Sequence, residues 1–345
     1  MAEPGANGGS TGRPRWSVGR ALLLTITGIC LYLFAPSIAE VFAAWDKLGN
    51  VHPIAIPFIL AAEVASFASM WVLQRIALRT HGWFAVINTQ LASNSFNRVT
   101  PGGGATGTAL QVRMLSDAGF DSAKSAAGLT AQSLLVAAVL VTMPVFALPA
   151  IIAGTNVPGS LADAVWIGLV VFVAIAGLGA LLLATHRPVE LIGDGIQHAV
   201  NLFRRHRPPV RDLGRRLLTE RDDIRSTMGS RWVEAVAAAV GRWAFEDLAL
   251  LLTLYAIDAT PNPWLVLLAF VAASTLGMIP FSPGGLGFVE AGLTATLALS
   301  GVNAGEAVLA TLVFRLVSFW LPLPIGLGAG WLFRRRYPRL AATSD

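Results

Sequence analysis

Between Pro53 and Leu78 the chain is interrupted by only two charges, Glu63 and Arg75. A helix needs roughly 20 mostly apolar residues to cross a bilayer, so this stretch has spanning length. Comparable runs recur at Ala21–Trp45, Ala123–Ile152, Leu161–Thr185, Trp232–Tyr255 and Glu306–Phe333. They leave little room for a soluble fold. Only 13% of the 345 residues are charged, against about a quarter in soluble domains. A soluble enzyme, a nucleic-acid binder and a disordered protein are therefore excluded classes. The net charge of +5 and pI near 10.1 point to a membrane surface, because cytoplasmic loops of membrane proteins collect Arg and Lys. The single Cys30 lies in the first apolar run, which leaves no disulfide framework and no cysteine metal site.

Charge placement sets the expected topology. Residues 1–16 read as a disordered cytoplasmic tail, followed by a signal-anchor helix rather than a cleaved signal peptide. Residues 17–337 form one membrane domain. Basic clusters close the second span (Arg75, Arg79), fill the loop at 186–231 and end the last span (Arg334, Arg335, Arg336, Arg339). Each of these marks the cytoplasmic side, as do both termini, with residues 338–345 as a second tail. The 186–231 loop has helically spaced apolar positions and reads as amphipathic surface helices. Arg-rich helices of this kind can hold anionic head groups, and an ordinary positive-inside loop explains the same pattern.

Two apolar stretches remain, at 82–121 and 262–304. Each is broken by proline and glycine: Pro101-Gly102-Gly103-Gly104 in the first, Pro283-Gly284-Gly285-Leu286-Gly287 in the second. Setting Pro101 on Pro283 also aligns Ala109 with Ala291, Leu115 with Leu297 and Gly119 with Gly301. The first stretch lies between a span ending inside and one leaving from inside. The second lies between a span ending outside and one re-entering from outside. The pattern is span, broken hairpin, span at about 53–150, then the same unit upside down at about 232–333. Inverted repeats with discontinuous helices are a transporter architecture, with the site near mid-membrane. The expected fold is thus an all-α polytopic membrane protein with about six full spans and two broken re-entrant helical hairpins. Where helix resumes at Gly104 and Leu286, free N–H groups and the positive dipole end favour an anion such as phosphate.

The tips RVTPGGGATG and PFSPGGLGFVE, the basic central loop and the late arginine of the last span resemble the lysylphosphatidylglycerol synthase transmembrane family. That family supplies the membrane flippase part of bacterial multiple-peptide-resistance proteins and also occurs as stand-alone membrane proteins. Its bifunctional members carry a soluble aminoacyl-transferase domain after the membrane part. This chain stops at Asp345, so the resemblance implies the lipid-translocating half without the synthase chemistry.

Ionisable residues inside a membrane are costly, and they are functional or paired. Arg98 precedes the first tip and Arg113 follows it; beside a helix start, arginine suits bidentate phosphate contact. With Pro101, Gly102, Gly103, Gly104, Pro283, Gly284, Gly285, Gly287, Glu290 and Arg315, they form the expected substrate-binding set. Glu290 suits the dipole of the helix it opens, and Arg315 needs a carboxylate or phosphate partner. Glu63, Arg242, Glu246 and Asp247 are candidates for proton carriage or ion pairing. Arg242 and Glu246 are one helical turn apart, and Glu63 and Glu246 hold near-equivalent positions in the two repeats. The competing reading is that these charges only lock the repeats together. Gln90, Asn94 and Asn97 put a polar stripe on the helix entering the first tip, which should face protein or a watery cavity.

No P-loop follows Gly104, no serine has a nucleophile-elbow setting, and the five histidines lack metal-ligand spacing. Neither an enzyme, a metal nor a cofactor is expected. The preferred function is movement of a phospholipid or other lipid-phosphate head group between leaflets of a bacterial inner membrane. A proton-coupled secondary transporter of a small anion and a non-transporting membrane scaffold are the alternatives. The expected partner is the lipid and not nucleic acid, with a homo-oligomer left open.

Overall fold

The computed structural model describes residues 51–100, 104–152, 154, 159–184, 231–278 and 283–338. The expected first span, the 186–230 part of the basic loop, both tails and the tip residues Pro101, Gly102 and Gly103 lie outside them. Every regular element among the described residues is helical. The first repeat comprises α1 (Ile56–Ala77), α2 (Trp83–Val99), α3 (Gly104–Asp117) and α4 (Ser122–Thr142). A 3-10 segment (Met143–Ala147) and the short α5 (Leu148–Ile152) extend α4, and α6 (Gly159–Ala184) follows. The second repeat comprises α7 (Trp232–Tyr255), α8 (Pro263–Gly277), a 3-10 turn (Pro283–Gly285), α9 (Phe288–Leu299), α10 (Ala304–Arg315) and α11 (Pro322–Arg336). Three helical stretches among the described residues are long and apolar enough to cross a membrane: Pro53–Ala77, Ser122–Ala147 and Ala304–Arg336. Helix α7 has the length, with Arg242, Glu246 and Asp247 near its middle.

Helices α1 and α7 form the central seam, and they run antiparallel. At one end the His52 amide donates to the Ala256 carbonyl (2.9 Å), and the His52 ring meets Asp258 (3.2 Å). Further along, Ser66 lies against Arg242 and Ser69 against Gly241. Burial of Ile59, Ala62, Leu73, Ala235, Ala239, Leu250 and Leu254 holds the seam together, its alanines permitting close approach. Helix α4 joins this core through α7, where the Trp243 indole N–H donates to the Val136 carbonyl (2.8 Å). The Phe270 ring then carries the packing from Trp243 to Phe314 by two edge contacts.

The two hairpins open at opposite ends of the seam. Helix α2 begins where α1 finishes, with the Arg75 guanidinium 3.9 Å from the Trp83 ring centre. Helix α8 begins just after α7, at the His52–Asp258 end, and α9 returns along it; Ser300 Oγ donates to the Leu265 carbonyl (3.1 Å). The inversion expected from the two breaks is therefore present. The second tip meets the end of α2 inside the molecule: a Cβ on Gly284 would lie 3.4 Å from the Arg98 Cα.

The last expected span differs from a single helix. Between α10 and α11 the chain makes a π turn over Leu316–Trp320, where the Leu321 amide bonds back to Leu316 (2.9 Å). Pro322 explains it. Proline has no N–H and its ring displaces the carbonyl four residues earlier, here that of Ser318. Helix α11 then packs so closely on α2 that any side chain at Gly326 would run into Ser95 Oγ and the Leu91 carbonyl. Glycine is the residue that admits such an approach.

Candidate functional site

The interior charges fall into two adjoining groups. In the α1–α7 seam, the Arg242 guanidinium donates to Ser66 Oγ (2.7 Å) and pairs with Glu246 one turn along its own helix. Ser66 Oγ donates in turn to the Arg242 carbonyl (2.8 Å). Glu63, one turn before Ser66, is only 6% exposed, and its Oε1 has no hydrogen-bond partner among the described residues. It lies within electrostatic reach of Glu246, Arg242 and Arg98. Asp247 is partly buried, with Oδ1 likewise unpartnered.

The second group surrounds the second tip where the end of α2 meets it. Gly284, Gly285 and Gly287 all have positive φ (59°, 72° and 82°), which lets the chain reverse sharply after Pro283. The reversal delivers the Gly287 amide to Glu290 Oε2 (2.8 Å), so Glu290 caps the helix it opens. Its other oxygen accepts from Arg315 Nε (2.6 Å), and Arg315 Nη2 reaches the Gly284 carbonyl (3.5 Å). Glu290 and Arg315 thus neutralise each other, and the pair fastens α10 to the second tip.

Arg98 is held differently. It donates to Asn94 Oδ1 (3.3 Å) and to the Ser318 carbonyl (2.7 Å), the carbonyl that Pro322 frees from helical pairing. Both acceptors are neutral, and Arg98 makes no salt bridge among the described residues. Phe319 sits between the two arginines, its ring centre 4.9 Å from the Arg98 guanidinium and 4.3 Å from that of Arg315. The same ring lies where a Cβ on Gly284 would go. The polar stripe does face protein: Asn94 holds Arg98, Gln90 accepts from the Trp71 indole (3.1 Å), and Asn97 Oδ1 is buried with no partner. Ser66, Ser318 and Phe319 were not legible as site residues. Pro322 was the one available signal for a freed carbonyl at Ser318.

Arg113 stands apart from this interior cluster. It is exposed and lines a groove of about 660 Å³ between α2, α3 and α11. A second exposed guanidinium, Arg334, lines the same groove, whose walls include Phe96, Leu110, Met114, Leu323 and Leu327. Val99 brings the groove to the end of α2, one residue beyond Arg98. Neither Arg113 nor Arg334 has an ion-pair partner among the described residues. Gly104, which begins α3, has open space around it.

One family model matches most of the chain. The model for the lysylphosphatidylglycerol synthase TM region matches residues 19–326. The chain belongs to this family. A similar curated relative is a UPF0104 membrane protein of Methanothermobacter thermautotrophicus, 29% identical over 170 residues. That match covers 47% of this chain and 50% of the relative, so the chain spans about half the length of the curated relative it matches. No solved structure matches. Family membership and the apolar helices together place the protein in a membrane.

Proposed function

We propose that the protein moves a phospholipid, or another lipid with a phosphate head group, between the leaflets of its membrane. The observation that carries this reading is the groove. It joins two guanidinia that have no ion-pair partner among the described residues to apolar walls, a combination that fits an anionic amphiphile better than a soluble solute. Arginine binds phosphate through paired N–H donors in fixed geometry, so Arg113 and Arg334 take the head group first. The basic ends of α1 and α11 lie on the cytoplasmic side in this reading, and the membrane is a bacterial inner membrane. The head group then passes along α2 towards Arg98 and the amides of the tips, while the acyl chains stay against Leu110, Leu323 and Leu327. Arg98 is suited to receive it because its present acceptors are neutral and give way to a phosphate oxygen. The chain does no covalent chemistry on its cargo.

The test is a reconstituted vesicle assay with fluorescent phosphatidylglycerol. Its movement between leaflets is followed by quenching from one side. Replacing both Arg113 and Arg334 with alanine removes two charge-assisted contacts and lowers the rate by at least about tenfold. Arg98→Ala has an effect of similar size. Wild-type lipid movement in both variants, or uptake of a soluble anion without lipid movement, overturns the reading.

A further inference from the structure

One face of α1 carries a run of buried polar atoms that the lipid pathway does not use. Glu63, Ser66, Met70 and Gln74 follow the spacing i, i+3, i+7, i+11, which puts them in a single stripe. Gln74 is fully buried at 0% exposure, and neither its Oε1 nor its Nε2 has a hydrogen-bond partner among the described residues. Across the seam, Gln132 of α4 is 5% exposed; its Nε2 points to Met70 Sδ (3.6 Å), and its Oε1 is also unpartnered. At the far end is the unpartnered Oε1 of Glu63. Buried polar groups are almost always satisfied, by protein or by ordered water. A run of unsatisfied ones along one seam fits bridging waters, each needing two or more polar partners.

We propose that this seam is a hydrated proton path from the basic end of α1 to Glu63, and that Glu63 is the proton-carrying group. The path covers about 16 Å, eleven residues of helical rise. It starts one turn from the end of α1, beside Arg75, and finishes at the tip cluster. A hydrated proton gives its H⁺ to a Glu63 carboxylate oxygen: one O–H bond forms on the acid, one breaks in the donor, and neutral water remains. The acid then returns the H⁺ to water on the tip side, restoring the carboxylate beside Arg242 and Arg98. The groups that face Glu63 give the transfer a consequence. Glu246 and Arg242 face it from α7, and Arg98 faces it from α2. Helix α4 brings only Lys124, in its first turn, and the π turn carries no ionisable residue. A charged Glu63 competes with Glu246 for Arg242 and helps to balance Arg98. A neutral Glu63 releases both interactions and leaves Arg98 free for a phosphate. Proton loading therefore primes anion binding at the tips. This last link rests on the lipid-translocation reading, whereas the proton path itself does not.

The test uses the full chain in phosphatidylglycerol-containing vesicles, with a trapped pH-sensitive dye, a valinomycin and potassium voltage clamp, and fluorescent phosphatidylglycerol in the same preparation. An external acid pulse drives proton entry in the wild type, with lipid movement accelerating alongside. Gln74→Leu slows proton entry at least tenfold while its melting temperature is unchanged or higher, because leucine suits a seam that has lost its water. Glu63→Gln abolishes proton entry and also removes a carboxylic-acid infrared band that appears on acidification of the wild type. In Gln74→Leu that band still appears, but more slowly. Proton entry at the wild-type rate in either variant overturns the path. Lipid movement with no proton entry in the wild type also overturns it, and leaves the lipid reading intact. Proton entry without lipid movement supports the path and defeats the lipid reading instead.

Discussion

The hairpin of α2 and α3 and the hairpin of α8 and α9 are built on the same break, yet their surroundings are opposite in character. Helix α8 buries an unbroken apolar run from Leu265 to Val271, and its tip is closed by the Glu290–Arg315 pair. Helix α2 buries Asn88, Thr89, Gln90, Ser93 and Ser95. Its arginine rests on neutral acceptors, and its flank opens into the groove with Arg113 and Arg334. Both tips need a reversal of the chain inside the membrane, where every freed backbone group must find a partner in protein or water. The second hairpin meets that need with its own side chains. The first leaves Arg98 and Arg113 without a salt bridge among the described residues, and a guanidinium so placed inside a membrane is a place for a ligand. On the lipid-translocation reading proposed above, one inverted copy is the wall and the other faces the cargo.

The largest expected effect comes from breaking the wall. Glu290→Ala strips Arg315 of its counter-ion and α9 of its cap. Removing one member of a buried pair costs about 3–5 kcal/mol, because the remaining charge stays uncompensated. The variant should lose most of its melting transition in detergent. The double variant Glu290→Gln with Arg315→Met should recover much of it, since replacing both partners is often near neutral. Arg98→Met probes the other side of the comparison. With no paired acid to strand but two hydrogen bonds to lose, it should cost less stability, about 1–3 kcal/mol, while losing lipid movement. Equal stability losses in Glu290→Ala and Arg98→Met would erase the difference between the two tips.

A smaller loss is expected at Gly284. Valine there meets a positive φ and the Phe319 ring together. Overpacking of this kind costs about 1–3 kcal/mol, and it pushes Phe319 away from both arginines. The check is a thermal melt paired with the fluorescence of Trp320, whose ring packs edge-on to Phe319 (5.5 Å). Shifted emission with a lowered melting temperature is the expected result.

How much of this was legible beforehand follows from the range of the signal. Span positions are local: runs of apolar residues give α1, α6 and α7 within a few residues, while the run expected at Ala123–Ile152 is divided into α4, a 3-10 segment and α5. The inversion is also readable, because the two tips repeat in sequence and the arginine clusters fix which ends share a side. What joins residues far apart was not. Arg113 and Arg334 share a groove only because Gly326 lets α11 lie against α2. Arg98 reaches Ser318 only because Pro322 disturbs a helix that otherwise reads as continuous. Arg315 had two acceptable partners, a phosphate or a carboxylate, and spacing alone could not pick out Glu290.

The smallest expected effect tests the open tip directly. Gly104 begins α3, its φ is not among the positive ones, and nothing lies within 4 Å of where its Cβ would stand. Alanine at such a position costs no contact and restricts the unfolded chain, so Gly104→Ala should stabilise by about 0.4–1 kcal/mol. If the first tip is a rigid frame like the second, the melting temperature rises slightly and lipid movement is unchanged. If the tip must flex as a head group passes, the same small gain in stability comes with slower lipid movement. A loss of stability would contradict the open space around Gly104 and place a neighbour against the first tip, making the two hairpins alike after all.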